Sequence, residues 1–110
     1  MEDGTAIIAL SALAHENRLQ VFRLLVKEGP SGLAAGEIAE RIGVSPSALT
    51  FHLAHLVRAK LVQSWRKQRN VFYAVHVEGM RLMLTFLTED CCRGHEDICG
   101  AGEEFARLLG

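Results

Sequence analysis

Between Ile42 and Pro46 this chain stops one helix and starts another within three residues, Gly43-Val44-Ser45, and that punctuation restricts the fold more than any other feature. Glycine tolerates the left-handed conformation that commonly closes a helix. Serine supplies a side-chain oxygen to the unpaired amides of a first turn, and proline suits the first helical position because its missing N–H would have had no partner there. The upstream helix is expected over Ala34 to Ile42 and the downstream one over Ser45 to Ala59. In the second, Leu49, Leu53, Leu56 and Val57 form the inward stripe. That leaves Ser47, Ala48, Thr50, Phe51, His52, His55 and Arg58 for solvent or a partner. Two short helices joined this tightly, the second with a hydroxyl-rich start, make a helix-turn-helix pattern.

The flanks extend the pattern. Leu61 to Arg66 and Val71 to Val75 are β-prone runs joined by Lys67-Gln68-Arg69-Asn70, which predicts a hairpin with a basic tip, the wing of a winged helix. Upstream, Thr5 to Leu13 reads as an apolar helix and His15 to Lys27 as an amphipathic one, ended by Gly29-Pro30-Ser31-Gly32. Downstream, Val77 to Thr88 carries Met80, Leu82, Met83, Leu84, Phe86 and Leu87 on nearly every side. A chain of 110 residues has little protein to cover such a helix. The expectation is therefore one domain over 1–110, mainly α with a β-hairpin wing, about five or six helices and two strands, forming a homodimer through its N-terminal and last long helices. The alternative is that both helices complete a monomeric core. Glu103 to Leu109 reads either as a short amphipathic helix or as a frayed end.

Charge separates along the chain although the net formal charge is only −1. Residues 45–76 hold five basic side chains, Arg58, Lys60, Arg66, Lys67 and Arg69, and no acidic one, whereas residues 77–110 hold seven acidic and three basic. A basic middle in a near-neutral chain suits a surface facing a polyanion, or simply a solvated basic face. There is no 18-residue apolar run to span a membrane and no basic leader at the start, so a cytoplasmic protein is the expectation.

The ordered strings Ala14-His15-Glu16-Asn17-Arg18-Leu19, Glu37-Ile38-Ala39, Ser45 through Leu56, Leu61-Val62 and Arg66-Lys67-Gln68-Arg69-Asn70-Val71-Phe72-Tyr73 closely resemble the ArsR/SmtB family of bacterial winged-helix repressors that sense metals and metalloids. The resemblance spans about residues 5–88. It implies a dimer on palindromic double-stranded operator DNA, released by ligand. Carried over by position, it places base-reading roles on Ser47, Thr50, Phe51 and His52 and wing contacts on Arg66, Lys67 and Arg69. Two of the family's usual ligand sites are missing. The Cys-Val-Cys of arsenic-sensing members falls on Ala34 and Gly36, and the Asp and His ligands of zinc-sensing members have no counterpart in Val77 to Thr88, which offers only Glu78.

Ligand chemistry is concentrated instead in Cys91-Cys92-Arg93-Gly94-His95-Glu96-Asp97-Ile98-Cys99, which contains all three cysteines of the chain. Thiols used as core filling would be dispersed among the hydrophobic runs; these lie together in a polar, acidic stretch. Three thiolates suit a soft acceptor, and trivalent arsenic or antimony takes three in a trigonal pyramid. A subgroup of arsenical repressors has a vicinal Cys-Cys and a later third cysteine after the last helix, and the segment 89–100 resembles it. The expectation is an As(III)- or Sb(III)-responsive repressor with Cys91, Cys92 and Cys99 as ligands and no catalytic cofactor. Zinc or cadmium held with His95 added, and a thiol-redox or persulfide switch, remain as alternatives. A protein-binding winged helix is a further one. An enzyme is not expected, because no phosphate cradle or paired carboxylates accompany the thiols.

Overall fold

The structure is a computed structural model and describes residues 2–88. Helix α1 (Asp3–Leu13) leads into α2 (Glu16–Glu28), followed by β1 (Leu33–Ala34), α3 (Ala35–Ile42), α4 (Pro46–Arg58), β2 (Val62–Lys67), β3 (Asn70–Val75) and α5 (Val77–Thr88). The described residues thus form five helices and a three-stranded antiparallel sheet of order β1-β3-β2. Residues 100–110, where the sequence allows a sixth helix, lie outside the described residues.

Each expected boundary has its local cause. Gly43 sits at φ 79°, ψ 36° and its amide reaches the Ala39 carbonyl, closing α3 in the left-handed conformation. Ser45 caps α4 by accepting from the Ala48 amide at 3.2 Å, with Pro46 in the first turn. Strand β1 corrects the expectation of two strands. Ala34, assigned from sequence to the start of a helix, is paired with Phe72 while Leu33 pairs with Tyr73. The chain can come this close because Gly32, at φ 69°, lacks a side chain: a Cβ there would lie 2.4 Å from the Tyr73 carbonyl oxygen.

Leu25, Ile38, Leu49, Leu53, Leu56 and Leu61 form the centre of the core, all at or near zero exposure. The two terminal helices of the described region are built differently. Ala6, Ala9 and Ala12 turn inward from α1, while Ile7 (62% exposed), Ile8 (57%) and Leu10 (40%) face out. Small residues let α1 lie close on its own protomer, and the large ones remain uncovered. Helix α5 buries Met83 and Gly79 but leaves Val77, Leu82 and Leu87 exposed. Both helices add to the core, through Ala9, Ala12 and Met83, and each keeps an exposed apolar face among the described residues.

Candidate nucleic-acid interface

The exposed start of α4 is the part of the molecule best shaped to enter a groove. Its cap fixes the direction of the first turn, and its unpaired amides present a partial positive charge. Ser47 is exposed there, its Oγ 3.4 Å from that of Ser45. Thr50 is exposed one turn on, and its hydroxyl donates to the Pro46 carbonyl at 2.9 Å, which leaves its oxygen free to accept. Phe51 is 58% exposed and meets the His55 ring edge-on at a centroid distance of 4.7 Å. An aromatic left in water at that position offers apolar contact to a thymine methyl.

His52 departs from the expectation. Its side chain is only 7% exposed, so it does not share the outward face with Phe51. Its ring lies 4.5 Å from that of His15, and its Nδ1 is 3.5 Å from Nη1 of Arg18. Position 52 is three residues after Leu49 and one before Leu53, which is the buried side of the helix. Burial, followed by the nearby His15, Arg18 and His55, holds the His52 imidazole below its ordinary range. Desolvation together with Arg18 and Arg58 lowers His55 as well. Of the four positions to which the resemblance assigns base reading, Ser47, Thr50 and Phe51 share an exposed surface, and His52 lies on the buried side beneath it.

The wing supplies charge. Lys67 pairs with Asn70 across a two-residue connection, Gln68-Arg69, in which Gln68 takes φ 59°. Arg66, Lys67 and Arg69 are all exposed. Among the described residues the ion pairs join Arg41 to Glu28 and Glu37, and Arg81 to Glu78, so none neutralises the wing. Trp65 stacks on Phe72 at 6.0 Å and 14°, stiffening the hairpin below its tip. Sequence reasoning gave no role to Trp65, His15 or Arg18, although the last two lie in the string that opens the family resemblance.

Cys91, Cys92 and Cys99 lie outside the described residues, as does His95. Among the described residues no group of three His, Cys, Asp or Glu side chains could hold a metal ion, and positions 34 and 36 are Ala and Gly. No helix among them is long and apolar enough to cross a membrane.

A capped recognition helix beside a basic hairpin defines a winged helix-turn-helix DNA-binding protein. Residues 13–64 match the helix-turn-helix domain family. The transcriptional activator HlyU of Vibrio cholerae is 33% identical over 91 residues, covering 83% of this chain and 82% of that protein. A solved structure of HlyU from the same organism superposes with a TM-score of 0.62 at 36% identity, over 79% of this chain and 97% of that one, and another is described as reduced HlyU, with a TM-score of 0.60 at 36% identity over 76% and 88%. An ArsR-like transcriptional regulator from a Rhodococcus species gives 0.64 at 25% identity over 96% and 87%. A homodimeric winged helix-turn-helix DNA-binding domain from Mycobacterium bovis shares the fold, with a TM-score of 0.65 at 22% identity over 79% and 84%. The chain belongs to the family of winged helix-turn-helix transcriptional regulators that includes HlyU and the ArsR-like regulators. These relatives are described as transcriptional regulators or DNA-binding domains.

Proposed function

We propose that this regulator is an As(III)- or Sb(III)-responsive repressor, a homodimer that occupies a palindromic operator and leaves it when the thiolates of Cys91, Cys92 and Cys99 close on the metalloid. The observation that carries the reading is the confinement of every cysteine to nine residues that begin three positions after α5 ends at Thr88. Cytoplasmic conditions keep such thiols reduced and able to bind. The uncovered Ile7, Ile8, Leu82 and Leu87 support dimerisation through α1 and α5, and the solved Mycobacterium bovis domain is described as homodimeric. Two recognition helices in such a dimer read half-sites about 34 Å apart. Ser47, Thr50 and Phe51 read base edges, while Arg66, Lys67 and Arg69 meet phosphate. Metalloid binding acts through the dimer helices and weakens operator affinity by about 5- to 150-fold, the range of ordinary allosteric couplings.

A second reading has one specific support. A solved relative is described as reduced HlyU, and oxidation of the three cysteines is the corresponding alternative signal for this chain. The experiment separates the two. Reduced protein on a fluorescent duplex, selected from random DNA, is titrated with arsenite, Zn(II) and peroxide, and the titrations are repeated with Cys91→Ser, Cys92→Ser and Cys99→Ser combined. Release by arsenite that disappears in the triple variant is the expected result. Release of the triple variant by arsenite defeats the ligand assignment, release by peroxide alone selects oxidation, and release by zinc alone selects a four-ligand site with His95. The direction of regulation is read from a reporter, whose output rises when the regulator is deleted; a fall would make the protein an activator.

A further inference from the structure

The junction under the recognition helix is held by groups that work only as hydrogen-bond acceptors in their neutral form. Arg18, near the start of α2, donates from Nε to the Ala12 carbonyl in the last turn of α1 at 2.7 Å, and its Nη1 points to His52 Nδ1 on α4 at 3.5 Å. A guanidinium has no acceptor, so this contact needs a lone pair on His52 Nδ1. His15 caps α2 by taking the Asn17 amide on its own Nδ1 at 3.1 Å. A backbone amide also only donates, so His15 too must be neutral at that nitrogen.

The two rings lie 4.5 Å apart. From α2 the groups acting on His52 are His15 and Arg18; from α4 they are His55 and the edge of Phe51, at 5.8 Å; α1 contributes the Ala12 carbonyl through Arg18. Every charge in that set is positive or becomes positive on protonation. None of the ion pairs among the described residues brings a carboxylate to it.

We propose that Arg18, His15 and His52 form a proton-sensitive latch, with Arg18 as the positioning residue that ties the recognition helix to the end of α1 and both histidines required in their neutral form. Protonating His52 removes the acceptor for Arg18 and puts a cation against it. Protonating His15 removes the cap of α2 and adds a second cation beside the first. Acid therefore releases α4 from the helix that also carries Ile7 and Ile8. The inference rests on the operator-binding reading.

The sign follows from the direction of the shift. His52 is lowered from its ordinary 6.5, so the open or unfolded chain holds the proton more readily than the closed one. The latch contributes fully above about pH 6.5 and is lost as pH falls through the lower value of the folded state. Simple charge attraction predicts the reverse, because extra imidazolium near phosphate strengthens binding as pH falls.

The test uses the full chain and a labelled duplex selected from random DNA at about pH 8, with anisotropy read at fixed ionic strength down to about pH 5.5. Affinity is expected to fall by clearly more than about twofold between these limits, as the His52 acceptor for Arg18 is lost. His15→Asn with His52→Asn places an amide oxygen near each Nδ1 position and cannot titrate, so its profile is expected to stay flat within about twofold. An NMR titration of the histidine Cε1 protons without DNA is expected to show His52 titrating below 6.5. Unchanged or rising wild-type affinity in acid, a double variant that declines like the wild type, or a His52 titration at or above 6.5 overturns the latch. If circular dichroism shows the double variant unfolded, the wild-type profile and the NMR titration decide. If folded wild-type protein selects no duplex at all, the operator-binding reading fails and the DNA-free titration still decides whether the latch exists.

Discussion

Gly79→Ala isolates a contact that helix propensity alone would misjudge. Gly79 lies in the first turn of α5 in ordinary helical backbone, where alanine is the better residue by about 1 kcal/mol. A Cβ built there, however, falls 1.7 Å from the Lys60 carbonyl oxygen and 3.1 Å from His76 Nδ1. The oxygen is main chain, in the turn where Lys60 itself takes φ 61°, so it cannot swing aside like a side chain. Restoring ordinary contact needs a displacement of about 1.5 Å between α5 and the turn. Overpacking of this kind costs about 1–3 kcal/mol. The same shift pulls the Gly79 amide from His76 Nδ1, a 2.9 Å cap that contributes about 1 kcal/mol. Set against the propensity gain, the net is about 2 kcal/mol of destabilisation, or about 10 °C in Tm for a domain of this size. Urea unfolding at one fixed protein concentration measures it, since the proposed dimer makes stability concentration-dependent. An unchanged or raised midpoint would refute the packing of α5 on the Lys60 turn.

Two further outcomes follow from the reading surface. Combining Arg66→Ala, Lys67→Ala and Arg69→Ala lowers the slope of log affinity against log salt by about 0.9 for each phosphate that the wing no longer neutralises, with thermal stability nearly unchanged; an unaltered slope from filter binding across salt would remove the wing from the interface. Phe51→Ala, at a side chain 58% exposed, costs about 1 kcal/mol in preference for the selected duplex over random competitor, with little effect on the urea midpoint; a variant that discriminates as well as wild type would show that Phe51 reads no base.

Local chemistry makes most of the fold legible, because the strongest signals lie within a few residues of what they specify. Gly43, Ser45 and Pro46 act within one turn, and the basic Lys67 to Arg69 stretch marks a hairpin whose two strands are neighbours in sequence. Strand β1 is illegible for the opposite reason: two residues become a strand only because Tyr73 and Phe72, about forty positions later, pair with them. His52 is different again. Its position relative to Leu49, Leu53 and Leu56 carries the burial signal, but polar chemistry argues for the outward face, and place on the helix wins. A histidine at a core position asks for partners, and Arg18 and His15 are available in the preceding helix. On α1, composition shows how apolar the helix is, but only packing separates the alanines facing in from the isoleucines facing out.

That separation bears on how a signal in the cysteine segment would reach DNA. Besides the packing of Met80 and Met83, helix α5 meets the reading head at its start: its first turn abuts the Lys60 carbonyl, and the His76 amide just before it donates to the Leu61 carbonyl at 2.8 Å. Lys60 and Leu61 are the joint between the end of α4 and the start of β2. A change in the direction of α5 is therefore delivered where recognition helix and wing meet, not along the face of either. From Gly79 to Thr88 the helix runs about 14 Å at 1.5 Å per residue, long enough for a small rearrangement at its far end to tilt the near one. The second connection runs through α1, whose last turn Arg18 ties to His52 beneath the recognition helix. Helices α5 and α1 thus bear on α4 at two different places, α5 at its C-terminal joint and α1 at its buried middle. Thiol chemistry beyond α5 and protons at the α1 junction would consequently act on one element by separable routes. Substituting Cys91, Cys92 and Cys99 should then leave the acid response intact, and His15→Asn with His52→Asn should leave the arsenite response intact.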